Sequence, residues 1–220
     1  MSVKSFPQAT RLILWRHGVT DWNAAGRFQG QTDIELNADG LRQAEASAPY
    51  VAALHPTAIY ASPLKRAAVT AAAASKVLGL PIEYRSDLME INVGSWSGLS
   101  VTDARELDPA FALAQDTGHD YRRSATGETF VEAGERAAAE LRRIAAAHSG
   151  ETVLVAGHGG TTRMSLGLLL GWDFRTTMAL SGITNCAWSV VTQREPGGAW
   201  RLDSFNVSVV AGAVGPSGLV

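Results

Sequence analysis

Two periodicities alternate along the chain. Short apolar runs at residues 11–15, 58–61, 81–84 and 152–156 read as strands, two of them uninterrupted enough to be buried on both faces of a sheet. Between them, residues 37–54, 63–78 and 128–148 carry apolar side chains at helical spacing. Asn37 offers a cap to the first of these helices, and Pro49 is expected to kink or shorten it. Gly79-Leu80-Pro81 closes the second. A fourth helix over 159–171 would pack through Met164, Leu166, Leu168, Leu169 and Leu170. Residues 185–193 and 200–206 then read as two final strands joined by a turn at Glu195-Pro196-Gly197-Gly198.

This alternation predicts an α/β fold, a three-layer α/β/α sandwich around a largely parallel central sheet. No internal repeat or low-complexity linker divides it, so residues 1–220 are expected to form one domain. Within it, the polar, weakly periodic stretch 100–127 reads as a cap-like insertion over a site. The Gly- and Pro-bearing tail 210–220 reads as mobile.

Composition narrows the partners. Hydrophobic residues make up 46% and charged residues 18%, which supplies a sizeable core and excludes a disordered chain. The 19 basic and 21 acidic residues leave a formal charge of −2, so nucleic acid is not expected as the main partner. The first ten residues hold no apolar signal core, and no run of 18 apolar residues occurs. No membrane association is expected, and the location expected is cytoplasmic. One cysteine, Cys186, excludes an intramolecular disulfide and a multi-thiolate zinc site. Its apolar neighbours, residues 185–191, mark it as a buried structural thiol.

The candidate chemistry lies where strands end. Ligands of α/β sheets bind at the carboxyl ends of the strands. Three such ends carry Arg16-His17-Gly18, Ser62-Pro63-Leu64-Lys65-Arg66 and Gly157-His158-Gly159-Gly160. Guanidinium forks hold phosphate oxygens and glycine lets backbone amides approach them, so two His and two Arg in this setting suit an oxyanion site.

The blocks that carry these residues resemble the histidine phosphatase superfamily, in its phosphoglycerate mutase-like branch. The resemblance runs from Arg16-His17-Gly18 and Asn23 through residues 27–33, 36–40 and 62–67. It continues with Glu90, Gly94-Ser95-Trp96-Ser97-Gly98, Thr126-Gly127-Glu128 and residues 157–160, all in the family's order. It implies a phosphoglycerate mutase-like fold and a phosphohistidine intermediate. By matching position, His17 resembles the nucleophile, and Arg16, Arg66 and His158 resemble the cradle around the phosphate. Asn23 and the Gly159 amide resemble further donors, with Gln29 and Gly30 in the substrate-binding block. Glu90 resembles the acid that protonates the leaving oxygen and later activates water. Glu83 and Asp87 compete for that role, but only Glu90 has the Gly94–Gly98 sequel. His55, His119 and His148 have no such context and are expected to be solvated.

The family holds both phosphatases and mutases. Glu90 and His158 lie only 68 positions apart, whereas the cofactor-dependent mutases carry a longer insertion there. Gln29 and the Gly94–Gly98 block also resemble the phosphatase branch, although Ser97 departs from the Glu usual at its position. The expectation is a metal-independent phosphomonoester hydrolase acting on a small phosphorylated metabolite and releasing inorganic phosphate, with no cofactor and no metal. Mutase-type phosphoryl transfer is the alternative, and a non-catalytic phospho-ligand binding module ranks below both. Arg122 and Arg123 are candidates for a second anion contact, at most one of them reaching the pocket. The competing reading is a basic turn balancing Asp116 and Asp120. The substrate and the oligomeric state, a homodimer included, are left open.

Overall fold

A computed structural model of the protein describes residues 9–209. The expected mobile tail, 210–220, lies outside them. The chain runs β1 (Thr10–Arg16), α1 (Asp21–Ala24), α2 (Ala38–Ala52), β2 (Ala58–Ala61), α3 (Lys65–Leu78) and β3 (Ile82–Tyr84). It continues with α4 (Val101–Leu107), α5 (Pro109–Asp116), α6 (Phe130–Ala147), β4 (Thr152–Gly157), α7 (Gly159–Leu169) and α8 (Phe174–Met178). β5 (Trp188–Gln193) and β6 (Trp200–Val207) complete it. The strands form one sheet in the order β3-β2-β4-β1-β5-β6. β3, β2, β4 and β1 are mutually parallel, and β5 runs against β1 and β6.

Strand alternation builds the three layers. On one face Ile13, Trp15, Leu154 and Ala156 pack against Ala44, Ala48 and Val51 of α2 and Ala71 and Ala74 of α3. On the other, Leu12, Leu14, Val153 and Val155 meet Ala138, Leu141 and Ile144 of α6 and Leu166 and Leu169 of α7. The small alanines of α2 and α3 let both helices lie close to the sheet.

One expectation is corrected. Pro49 neither kinks nor ends its helix early: α2 runs on to Ala52, and Ala53 N–H still donates to Pro49 O. The N–H that proline lacks would have served Glu45 O, and both residues are exposed, so water takes that carbonyl. The stretch 100–127, weakly periodic in sequence, holds two helices the periodicity did not mark, α4 and α5. Ser100 and Asp103 close a capping box on α4, and Asp108 caps α5 ahead of Pro109 at its start. Phe111 from α5 then joins Phe28, Trp96 and Phe130 in a third buried cluster beside the sheet's carboxyl edge.

Candidate active site

Parallel strands β1, β4 and β2 all finish at one edge of the sheet, and each delivers chemistry there. His17 continues β1, its N–H donating to Gly157 O at 3.0 Å. Its own carbonyl accepts from Asn185 Nδ2 at 3.0 Å and from Cys186 N–H at 3.2 Å. His17 Nδ1 lies 2.6 Å from Gly18 O. A carbonyl only accepts, so Nδ1 carries the proton and Nε2 keeps its lone pair. Burial, then Arg66, His158 and Arg16, push the His17 pKa well below its ordinary 6.5. The ring is therefore a neutral imidazole at neutral pH, the form a nucleophile requires. Gly18 is there for space: a Cβ on it would stand 2.4 Å from Gly40 O, where α2 begins.

His158 faces His17 edge to face at 5.3 Å. Ser62 Oγ accepts from Leu64 N–H at 3.3 Å, so its hydroxyl hydrogen is available for His158 Nε2, 2.7 Å away. With Ser62 donating to Nε2, the His158 proton lies on Nδ1, which is buried with no hydrogen-bond partner in the protein. Burial, with Arg66, Arg16 and Arg136, holds His158 well below 6.5, so at neutral pH it can serve an anion only as a neutral donor.

Arg66 is fully buried, donating from Nη1 to Thr32 O at 2.8 Å and from Nη2 to Gly30 O at 2.7 Å. Burial lowers its pKa to about 10, against the pull of Glu90 and Asp33, so it stays charged at neutral pH. Arg16 donates from Nη1 to Ile183 O. The Nε of each arginine is buried and has no partner in the protein. A Cβ on Gly159, the first residue of α7, would lie 3.2 Å from Arg16 Nε.

Glu90 sits on the N-terminus of α7. Its Oε1 accepts from Ile91 N, Thr161 N and Thr161 Oγ1 at 2.9, 2.8 and 2.7 Å, and its Oε2 accepts from Gly160 N at 3.0 Å. Burial raises its pKa, but these donors outweigh it and the net shift is downward, so the carboxyl is ionised before substrate arrives. Arg136 of α6 braces the approach, donating to Asp87 O at 2.7 Å, to Met89 O at 3.2 Å and to both oxygens of Glu128.

The remaining candidates separate. Asn23 closes a capping box on α1, its Oδ1 accepting from Thr20 N and, at 3.3 Å, from Asn185 Nδ2. Gln29 is buried beside the loop that pins Arg66, with its Oε1 unpartnered. Gly30 acts on Arg66 through its carbonyl. Glu83 is paired with Arg85 and Asp87 with Arg143, whereas Glu90 is bonded to the start of α7, next along the chain from His158. Arg122 is engaged by Gly127 O and the Glu132 carboxylate. Of the balance expected with Asp116 and Asp120 only part is made: Asp116 pairs with Arg105, while Asp120 accepts from Phe130 N and Val131 N and acts on Arg123 through space. Arg123 is buried against the rings of Phe111 and Phe130.

His148 is not solvated as expected, bridging Tyr60 Oη and Glu151, while His55 and His119 are exposed. Cys186 is the inert thiol expected, pushed by burial to about 12. Among the described residues, no group of three or more His, Cys, Asp and Glu is placed to hold a metal ion. Sequence reasoning gave no role to Ser62, Thr161, Asn185 or Arg136. Ser62 lies within a recognised block and Thr161 adjoins one, but nothing local marks the other two.

A model of the histidine phosphatase superfamily, branch 1, matches residues 12–208. The chain belongs to that superfamily. A metal-independent phosphoserine phosphatase of Arabidopsis thaliana is 37% identical over 210 residues, covering 93% of this chain and 84% of that protein. A glucosyl-3-phosphoglycerate phosphatase of Mycolicibacterium vanbaalenii is 32% identical over 216 residues, covering 90% and 95%. Among solved structures, a mycobacterial glucosyl-3-phosphoglycerate phosphatase complexed with VO3 superposes with a TM-score of 0.82 at 30% identity, covering 90% of this chain and 99% of that one. This histidine phosphatase has the phosphoglycerate mutase-like α/β fold and is a phosphoric monoester hydrolase. No described helix is long and apolar enough to cross a membrane.

Proposed function

We propose that His17 Nε2 attacks the phosphorus of a small phosphorylated carboxylic acid held by Arg16, Arg66 and His158, without a metal ion. The observation that carries this reading is the set of three buried nitrogens without protein partners: Arg16 Nε, Arg66 Nε and His158 Nδ1. Buried donors left unpaired cost about 1–3 kcal/mol each, a cost that the oxygens of a tetrahedral oxyanion remove. The two guanidinium groups supply the charge that a metal brings elsewhere. The carboxylate of the substrate class is suggested by the similar proteins, whose named substrates, phosphoserine and glucosyl-3-phosphoglycerate, both carry one beside the phosphate. Such metabolites imply a cytoplasmic location.

The proton balance follows from Glu90. A monoanionic phosphate ester passes its proton to the ionised carboxylate as it binds. His17 Nε2 then forms the P–N bond while the P–O bond to the leaving group breaks, and Glu90 returns the proton to the departing oxygen. Water, losing a proton to Glu90, displaces His17 and yields inorganic phosphate. A chelator-treated phosphate-release screen over phosphoserine, phosphoglycerates, sugar phosphates and nucleotides tests the reading. The expected result is turnover that survives EDTA, favours phosphorylated carboxylic acids and disappears in His17→Ala. Metal dependence, or activity in that variant, would overturn it.

A further inference from the structure

A second concentration of positive charge lies behind the acid. A cavity of about 410 Å3 opens between α5, α6, α7 and α8, lined by Arg123, Arg163 and Arg175 over Phe130, Phe174 and Met178. Its volume lies in the range of small-molecule sites. No Asp or Glu lines it, and none of its three arginines makes a salt bridge among the described residues. Asp120, Asp173 and Glu90 are near enough to act on Arg123, Arg175 and Arg163 through space, but none is in contact.

The two inner arginines are poorly satisfied. Arg163, 3% exposed, donates to Leu180 O at 3.3 Å and to the thioether sulfur of Met178. Arg123, 4% exposed, donates from Nη1 to Tyr121 O and lies over the Phe111 and Phe130 rings, but leaves Nε without a partner. Buried cations with weak acceptors are costly unless an anion completes them. Arg175 stands exposed at the rim, with His119 beside the opening. None of the cradle residues lines the cavity, but Phe130, which does, reaches toward the acid. A Cβ on Gly160 would meet Phe130 Cε1 at 2.8 Å and Glu90 Oε1 at 3.1 Å.

We propose that this cavity is a second anion site, taking an organic anion whose carboxylate meets Arg163 and Arg175 and whose apolar stem lies on Phe130, Phe174 and Met178. Two sources supply that chemistry: the far end of an extended substrate, or a separate anionic metabolite. The inference stands whether or not His17 is the nucleophile, and its test reads binding directly.

The probe is 4-phenylbutyrate, titrated calorimetrically into the protein with and without vanadate, alongside its neutral amide. The acid should bind saturably. The amide should bind about tenfold or more weakly, as should the acid to Arg175→Glu or Arg163→Met, because hydrogen bonds to a charged partner are lost. Arg175→Glu is a surface change, so the test survives if Arg163→Met misfolds. Binding unaffected by vanadate, with p-nitrophenyl phosphate turnover intact, assigns the site to a separate metabolite. A raised KM in Arg175→Glu, confined to extended carboxylate substrates, assigns it to the substrate's far end. Absence of saturable binding, or equal affinity of acid and amide, would overturn the proposal.

Discussion

Replacing Glu90 by Gln removes the capacity to take up and return a proton and leaves the outline of the side chain. Its Oε1 keeps three donors: Ile91 N, Thr161 N and Thr161 Oγ1. The new NH2 then faces Gly160 N–H, where the carboxylate accepted at 3.0 Å, so two donors oppose each other at the N-terminus of α7. Leaving one such group unsatisfied costs about 1–3 kcal/mol. Each kcal/mol lowers Tm by about 2–4 °C at this chain length, so a measurable but folded variant is expected. Chemistry suffers more, since a positioned general acid is worth about 10²–10⁴-fold. That factor applies where the leaving group needs a proton. The assay is kcat/KM of parent and Glu90→Gln across phosphate esters from p-nitrophenyl to alkyl, plotted against leaving-group pKa. The alkyl esters should lose about a hundredfold or more and the p-nitrophenyl ester about tenfold or less, steepening the plot. Parallel plots for the two proteins would refute proton donation and leave Glu90 as a helix cap that positions substrate.

Two further outcomes are expected. Ser62→Ala should lower kcat about tenfold or more, because His158 loses the hydroxyl that fixes its proton on Nδ1; Ser62→Thr should restore most of it, and a kcat unchanged in the alanine variant would dismiss the assigned tautomer. Thermal stability should fall as pH drops below 6.5. The folded pKa values of His17 and His158 lie below the unfolded value, so the unfolded chain takes up protons first and stability present above 6.5 is lost on acidification. The slope is at most about 1.4 kcal/mol per pH unit for each histidine, and melting curves of His158→Gln between pH 7 and 5 should show it reduced.

Most of the frame was legible because its signals are local. The apolar runs of β1 and β4 are long enough to mark buried strands, and Arg16-His17-Gly18 and Gly157-His158-Gly159 announce themselves at their ends. The helices α4 and α5 were missed because a seven- and an eight-residue element carry too little apolar period to register. Their capping residues were nevertheless in view at Ser100, Asp103 and Asp108. The state of Glu90 was beyond the sequence: its ionisation depends on amides of α7, seventy positions away. The fate of Arg122 and Arg123 was likewise tertiary, decided by Glu132 and by the rings of Phe111 and Phe130.

The position of β1 has a consequence for how the protein is made. Of the described strands, β1, which leads into the proposed nucleophile, is the first to be synthesised, yet it lies between β4 and β5 and pairs with residues 152–157 and 188–193. Until those segments are synthesised, Leu12, Ile13, Leu14 and Trp15 have no sheet partner for either edge. Synthesis at about 5–20 residues per second leaves that apolar ribbon waiting for several seconds or more. Such an edge invites pairing with other chains, so protection during translation should matter more here than stability afterwards. Under the proposed mechanism, activity also waits for β4. His17 and His158 follow directly on β1 and β4, which pair with each other, so recovered activity in refolding would report closure of the sheet's centre.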